Sequence, residues 1–221
     1  MPKRILQILA LVLAAGSVAA WAQAPKDGVY ISDADVKAVL QRAADTKRVN
    51  PDNAIRVIDM GNYQLSVSVI HRGALGGAAA APASTTGGAG AGSNATATNS
   101  SPACGEQRTG ATGPGGILHD DTAETYIVTS GSATLITGGT MVNGKRVAAD
   151  DEITTILNGP SCRGIMVGYT TREIKPGDII VIPEGVPHGF SAIPDHVTYL
   201  SIRPDLKKVL KRGYANPAVQ K

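Results

Sequence analysis

The chain of 221 residues is poor in aromatic side chains and in cysteine, with one Phe, one Trp, six Tyr and two Cys. Few aromatic residues together with 26 glycines argue against a helical bundle and favour a β-rich protein with many turns. A formal net charge of only +3 gives no electrostatic basis for binding nucleic acid. The sequence also lacks a Gly-x-Ser-x-Gly motif and the context of a phosphate-binding glycine loop, which argues against those two kinds of active site.

Residues 1–22 have the features of a secretory signal peptide. Lys3 and Arg4 precede an apolar run over residues 5–15, and small residues with A-x-A cleavage patterns follow. The run is shorter than the roughly 20 residues of a membrane-spanning helix, which argues against the alternative of an uncleaved anchor. Removal of this segment lowers the formal net charge from +3 to +1, because it carries two basic residues and no acidic one. We expect a periplasmic or secreted mature protein with no membrane span and no nucleic-acid partner.

Export also bears on the two cysteines, Cys104 and Cys162. An isolated pair in an oxidising compartment predicts a disulfide bond, and the alternatives are two free thiols or a metal-binding pair. The bond would close a loop of nearly 60 residues. Chain entropy alone makes such a closure worth about 4 kcal/mol.

The remaining chain divides into an extension, one domain and a tail. Residues 25–53 form an N-terminal extension with a helix that begins after Ser32, a residue type that caps helices well. Residues 54–204 contain many short strand-like segments separated by turns, which predicts an all-β jelly roll or barrel. Within this domain, residues 73–113 are rich in Gly, Ala, Ser and Thr, and we expect them to be disordered. Residues 205–221 form a C-terminal tail that starts with a short helix.

The first predicted hairpin, residues 54–72, contains a histidine of interest. Apolar residues alternate with polar ones in its second strand, and the alternation places His71 on the apolar face with Tyr63, Leu65, Val67 and Val69. His71 is therefore expected either at the mouth of the core or beside a functional site.

A sequence motif lies further along the chain. The run from Gly177 to His188 reads Gly-Asp-Ile-Ile-Val-Ile-Pro-Glu-Gly-Val-Pro-His. It resembles the second signature of the cupin superfamily, in which Gly, five residues, Pro-x-Gly and two residues precede a His. Only the customary Asn four positions later is missing, where Ala192 stands. The resemblance implies a jelly-roll barrel in which His188 points to the interior.

The first cupin signature is less complete. Six residues separate Glu124 from Gly131, as the signature requires, but only His119 of its two histidines is present. If His119 is the first histidine, Asp121 replaces the second. If His119 is the second histidine, Ile117 replaces the first. The sequence leaves both alternatives open.

The resemblance implies one divalent transition metal ion, held by His119, Glu124 and His188, with Asp121 as an additional candidate ligand. Two imidazoles and a carboxylate suit iron, manganese, zinc, nickel or copper, and three protein ligands leave coordination positions open for a substrate. Glu124 and Asp121 are then the candidate catalytic groups, as ligands or as proton carriers. The alternative is a barrel that has lost its metal and keeps the histidines as hydrogen-bonded interior residues.

Four side chains are candidates for substrate binding, with packing at the barrel mouth as the alternative role of each: Tyr126, Tyr199, Arg203 and His71. The resemblance implies a small metalloenzyme of the oxygenase, lyase or isomerase type that acts on a small organic acid or a sugar-like molecule. The alternatives are a non-catalytic periplasmic protein that binds or senses a small molecule, and a structural or storage protein. The resemblance also implies a homodimer.

Overall fold

The computed structural model describes residues 24–76 and 101–219. The predicted signal peptide, residues 1–22, and the central part of the predicted low-complexity insertion lie outside the described residues. In the part of the chain that is described, no helix has the length and the apolar character needed to cross a bilayer.

The described chain is built almost entirely from antiparallel strands. Its elements are one helix, α1 (Asp33–Asp45), a short π-helix (Ile153–Leu157), and the strands β1 (Asp52–Asp59), β2 (Gln64–Leu75), β3 (Ala103–Cys104), β4 (Gly115–His119), β5 (Glu124–Gly131), β6 (Ala133–Thr137), β7 (Thr140–Arg146), β8 (Ser161–Val167), β9 (Thr170–Ile174), β10 (Ile179–Ile182) and β11 (His188–Asp205). The prediction of an all-β jelly roll with an N-terminal helix is confirmed.

The strands form two sheets that share β11. The first sheet has the order β1-β2-β11-β5-β10, and the second has the order β3-β7-β8-β4-β11-β6-β9. The start of β11, residues 188–192, pairs in the second sheet, and its remainder pairs in the first. Irregularities in the register of β11 coincide with this change of partner, as expected where a strand bends from one sheet to another.

Strand β2 has the opposite orientation to the one predicted. Its polar residues Gln64, Ser66 and Ser68 are buried, and His71 is exposed, so the placement of His71 on an inward apolar face is wrong. The cause is that both faces of β2 are covered. Val69, on the other face, packs against the N-terminal helix, and alternation alone does not reveal which face lines the interior.

The helix α1 covers the outer face of the first sheet. Ser32 and Asp35 form a capping box, in which each side chain bonds the backbone N–H of the other. The buried residue Val39 packs with Ile55 and Val69 of the sheet. This arrangement confirms the predicted helix after Ser32.

The C-terminal tail contains turns where a short helix was predicted, so that prediction is wrong. The Asp205 carboxylate accepts hydrogen bonds from the backbone N–H groups of Val209 and Leu210, which begins a turn. Lys208 adopts a positive φ of 54°, a left-handed conformation that cannot continue a right-handed helix. The tail is nevertheless packed, because Leu210 and Val219 are buried.

The predicted disulfide bond joins Cys104 to Cys162 across a sequence separation of 58 residues. It fastens β3 to the second sheet, where Cys104 also pairs with Gly144 of β7. A side chain at position 144 would lie 2.6 Å from the Cys162 sulfur, so only glycine fits there. The prediction of disorder over residues 73–113 is therefore wrong at both described ends, because β2 runs to Leu75 and β3 is held by pairing and by the disulfide.

Candidate metal centre

Three strands bring two histidines and a glutamate together in the interior. His119 ends β4, Glu124 begins β5 and His188 begins β11, and all three side chains are buried. One nitrogen of each imidazole and one carboxylate oxygen all lie within 4.8 Å of one another. The three residues that the sequence analysis selected as metal ligands thus form a compact group that could hold a metal ion.

The imidazole of His119 is oriented by Ser161. The Ser161 hydroxyl donates its single proton to the carbonyl oxygen of Gly159 at 2.8 Å, so it accepts the hydrogen bond that it shares with Nδ1 of His119, also at 2.8 Å. Nδ1 therefore carries the proton, and Nε2 presents a lone pair to the cluster. An outer hydrogen bond that fixes the tautomer in this way is characteristic of histidines that bind metals.

His188 is oriented in the same way. Its Nδ1 lies 3.0 Å from the Val186 carbonyl oxygen, which can only accept, so Nδ1 carries a proton. Its Nε2 lies 3.0 Å from Oε2 of Glu124, a second acceptor. Two lone pairs at this separation repel each other unless Nε2 also carries a proton or a cation lies among the ligand atoms. The geometry thus fits a divalent metal ion, and it also fits a protonated imidazole paired with the carboxylate.

The carboxylate of Glu124 is surrounded by donors. Arg203 donates from Nε to Oε1, Asn158 donates from Nδ2 to Oε1 at 2.8 Å, and the Tyr126 hydroxyl donates to Oε2 at 2.8 Å. Burial alone would raise the pKa of Glu124, but the charge of Arg203 and the contact with His119 outweigh burial and hold that pKa well below its usual range. Glu124 is therefore ionised at neutral pH.

Arg203 is one of the most deeply buried side chains of the protein, with 1% of its surface exposed. Besides Glu124, it binds Oδ2 of Asp52 from Nη2 at 2.5 Å and the Ser68 hydroxyl from Nη1 at 2.9 Å. Burial lowers the pKa of Arg203, but the charges of Asp52 and Glu124 outweigh burial and raise it. Its charge is thus balanced by protein carboxylates.

Asp121 does not join the cluster. Its Oδ1 lies 2.5 Å from Nζ of Lys207, in an ion pair at the surface, so the structure does not support its predicted role as an additional ligand or proton carrier. Ile117, in contrast, lines the same cavity as His119. The structure therefore favours the alternative in which His119 is the second histidine of the first motif and Ile117 replaces the first.

A cavity of about 70 Å³ opens beside the cluster and is lined from both sheets. Tyr126 and Tyr199 line it as predicted, and their rings pack with centroids 4.3 Å apart. His71 does not line it, because this side chain is exposed on the outside and bonds Thr198. Five polar residues of the cavity wall were not predicted from the sequence: Asn50, Asp52, Arg72, Asn158 and Arg163.

The stability of the protein should decrease as the solution is acidified from neutral pH. Burial lowers the pKa of His119 below its ordinary value of 6.5, and the pKa of Glu124 lies below 4.5. In both cases the unfolded chain binds the proton more readily. Stability is therefore complete above about pH 6.5, falls as the pH decreases below 6.5, and falls further below 4.5.

Urea unfolding at pH 7.5, 5.5 and 4.0 measures this dependence. His119→Asn, which keeps a donor towards Ser161, should flatten the change between pH 7.5 and 5.5, whereas the control His196→Asn, at a half-buried position outside the cavity, should leave it unchanged. Equal unfolding free energies of the wild type at all three pH values would contradict the expectation.

Both cupin-like motifs contribute to this centre. The turn at Pro183–Gly185 leads into β11 with His188 pointing inward, and Glu124 begins the strand that ends at Gly131. The second motif thus supplies one histidine and the first supplies the carboxylate and the other histidine. The arrangement that the resemblance to cupins implied, a jelly roll with His188 directed to its interior, is confirmed.

Comparison with known proteins found no matching family model and no matching curated protein. Solved structures with a similar course of the chain include BH2720 from Bacillus halodurans, with 10% identity, a TM-score of 0.38 and coverage of 86% of this chain and 90% of that one. They also include KdgF from Halomonas sp., with 11% identity, a TM-score of 0.31 and coverage of 70% and 81%. The cupin domain of Cnp3 from Schizosaccharomyces pombe has 7% identity, a TM-score of 0.32 and coverage of 72% and 63%.

Proposed function

We propose that this protein is an exported metalloenzyme that binds one divalent transition metal ion through His119, Glu124 and His188 and acts on a small organic molecule. The observation that carries the proposal is the convergence of two oriented imidazoles and one ionised carboxylate beside a cavity. Iron, manganese, zinc, nickel and copper all suit this set of ligands.

The metal would supply a Lewis acid with open coordination positions for the substrate. The protein supplies orientation. Ser161 and Val186 fix the histidine rings, and Asn158 and Arg203 hold the Glu124 carboxylate. Burial raises the pKa of Tyr126 well above its ordinary value, so its hydroxyl stays protonated and remains a donor at the cavity wall.

The cavity limits the size of the substrate. A bound water occupies about 10–15 Å³ on the same measure, so 70 Å³ holds roughly five to seven water-sized groups. This volume suits a small organic acid better than an intact sugar. The reaction would be of the oxygenase, lyase or isomerase type. We also propose that the protein forms a homodimer.

A periplasmic or secreted location is part of the proposal. The disulfide bond between Cys104 and Cys162 supports it, because such bonds persist in oxidising compartments and are rare in the cytosol.

A second candidate function is a non-catalytic protein that binds or senses a small molecule without a metal. The observation in its favour is that Glu124 already accepts hydrogen bonds from Arg203, Asn158 and Tyr126. In addition, Nδ2 of Asn158 lies 3.0 Å from Nε2 of His119, the atom that would bind the metal. A metal ion would have to displace the contact between Asn158 and Nε2 of His119.

Elemental analysis of the purified full-length protein separates the two candidates. The metalloenzyme requires close to one transition metal ion per chain, either as purified or after reconstitution of chelator-treated protein with Fe²⁺, Mn²⁺ or Zn²⁺. A protein that takes up none of these ions, while a small molecule still raises its melting temperature, would overturn the metalloenzyme and support the binding protein.

A further inference from the structure

The walls of the cavity carry more positive than negative charge. Three arginines line it, Arg72, Arg163 and Arg203, together with two carboxylates, Asp52 and Glu124. Arg203 forms ion pairs with both carboxylates. The charge of Asp151, which lies outside the cavity wall, acts on Arg163. Among the described residues, the wall arginine with which no carboxylate forms an ion pair is Arg72, and its positive charge remains. An anion is the ligand that would balance this charge.

Arg72 is held in place by contacts that do not use its terminal amino groups. Its guanidinium carbon lies 5.2 Å from the centre of the Phe190 ring, and its Nε donates to the Tyr199 hydroxyl at 3.2 Å. Among the described residues, no carboxylate forms an ion pair with Arg72, and Nη1 and Nη2 have no hydrogen-bond acceptor. The arginine is thus positioned by aromatic side chains, and its two-pronged end remains available to a ligand.

Arg163 reaches the same cavity from the opposite sheet. It lies on β8, beside Ile117 of β4, whereas Arg72 lies on β2 of the first sheet. Burial lowers the pKa of Arg163 to about 10; the charge of Asp151 raises it, and the charge of Arg72 lowers it. Both guanidinium groups line the same cavity and carry like charges, so they repel each other. An anion bound between them would convert this repulsion into attraction.

We propose that Arg72 and Arg163 bind the carboxylate group of a small organic anion in the cavity beside the His119, Glu124 and His188 cluster. This inference rests on the proposed function and deepens it, because it names the chemical class of the substrate. Guanidinium groups match the planar geometry of a carboxylate and bind it through paired, charge-assisted hydrogen bonds.

Two properties of the cavity favour an organic carboxylate over inorganic phosphate. Its volume of about 70 Å³ has room for roughly five to seven non-hydrogen atoms. Its wall is also partly apolar, and the side chains that contribute are Leu75, Ile117, Ile153, Leu157, Phe190 and Ile193. These apolar side chains suit the carbon skeleton of an organic acid and cannot donate hydrogen bonds to the remaining oxygens of a phosphate.

The role of Arg203 follows from the same comparison. Arg203 is one of the predicted candidates for holding an anionic or sugar-like substrate, but its guanidinium is occupied by Asp52 and Glu124. In this proposal Arg203 positions Glu124, and Arg72 and Arg163 take the substrate. Tyr199 acts through Arg72, which it holds by a hydrogen bond.

Calorimetric titration of the full-length protein with malonate tests the proposal, with malonamide as an uncharged probe of the same shape and inorganic phosphate as a third ligand. Malonate should bind, malonamide should not, and phosphate should bind more weakly than malonate. Arg72→Met and Arg163→Met should each weaken malonate binding by about 10-fold or more, the size of a lost charge-assisted interaction. Arg172→Met removes an equal charge at an exposed position and should leave binding unchanged.

Equal binding of malonate and malonamide, or tighter binding of phosphate, would overturn the carboxylate site. So would malonate binding by Arg72→Met and Arg163→Met that equals that of Arg172→Met. Arg72→Lys keeps the charge but not the fork and should retain part of the affinity. The Arg72→Lys variant therefore keeps the test decisive if Arg72→Met does not fold.

The titrations are run on metal-loaded and on chelator-treated protein, so that the two proposals can fail separately. Malonate binding that depends on Arg72 in a protein that takes up no metal would support the carboxylate site and overturn the metalloenzyme. Stoichiometric metal without binding that depends on Arg72 would do the reverse.

Discussion

Replacement of His188 by alanine should reduce transition-metal affinity by more than 100-fold and leave the protein folded. His188 supplies one of only three ligand atoms in the cluster, and loss of a mere supporting residue around a metal already costs 10–100-fold in affinity. The fold should survive because the substitution also relieves the close contact between Nε2 of His188 and Oε2 of Glu124.

The measurement is metal content per chain after reconstitution and removal of excess ion, with circular dichroism to confirm the fold. His196→Ala is the matched control, because His196 lies on the same strand but outside the cavity, beside Asp195. Full metal occupancy in His188→Ala would show that the cluster is not the metal site.

Replacement of Arg203 by methionine should destabilise the protein by about 3–5 kcal/mol, the cost of leaving buried charges without their partner. Two carboxylates, Asp52 and Glu124, lose their counter-charge in this variant. Methionine fills a similar volume, so the effect measures charge more than packing. The pKa of Glu124 should rise, because the charge of Arg203 is the main influence that lowers it.

Chemical denaturation at pH 7.5 gives the unfolding free energies, and Arg172→Met serves as the exposed control. If Arg203→Met is within 1 kcal/mol of that control, the buried ion pairs contribute little net stability. Metal affinity provides a second measurement. It should fall in Arg203→Met, because Glu124 loses the residue that positions it.

The sequence predicted the three clustered residues well because local turns fix their orientation. The Pro183–Gly185 turn sets the direction in which β11 starts, and the spacing from Glu124 to Gly131 is that of a strand between two turns. In such segments, neighbours along the chain determine where a side chain points. The disulfide bond could be predicted equally well, because two cysteines allow only one pairing.

The residues that complete the cavity could not be predicted in this way. Asp52, Arg72, Asn158 and Arg163 come from segments far apart in the sequence, and only the pairing of strands across the two sheets brings them together. The sequence holds one signal for Arg72, namely a charged residue in β2 that shares the strand face of the apolar residue Ile70. The predicted inward face of β2 was the one that carries His71, which placed Arg72 on the outer face.

The inverted face has a simple physical origin. In a strand with one solvent-exposed face, the apolar residues indicate which face is buried. Strand β2 is instead covered on one side by α1 and on the other by the polar interior around Arg203. Its valines therefore pack under the helix, and Ser68 turns inward to accept a hydrogen bond from Arg203.

Because β11 passes from one sheet into the other, its length sets the relative positions of the binding-site residues that it carries. Its beginning carries His188, and its later part carries Tyr199 and Arg203. Insertion or loss of a single residue between these points would rotate everything downstream to the opposite face. The number of residues between His188 and Arg203 therefore fixes their relative orientation. Exchange of side chains along β11 can change the properties of the cavity, but a change in the length of the strand would disrupt it.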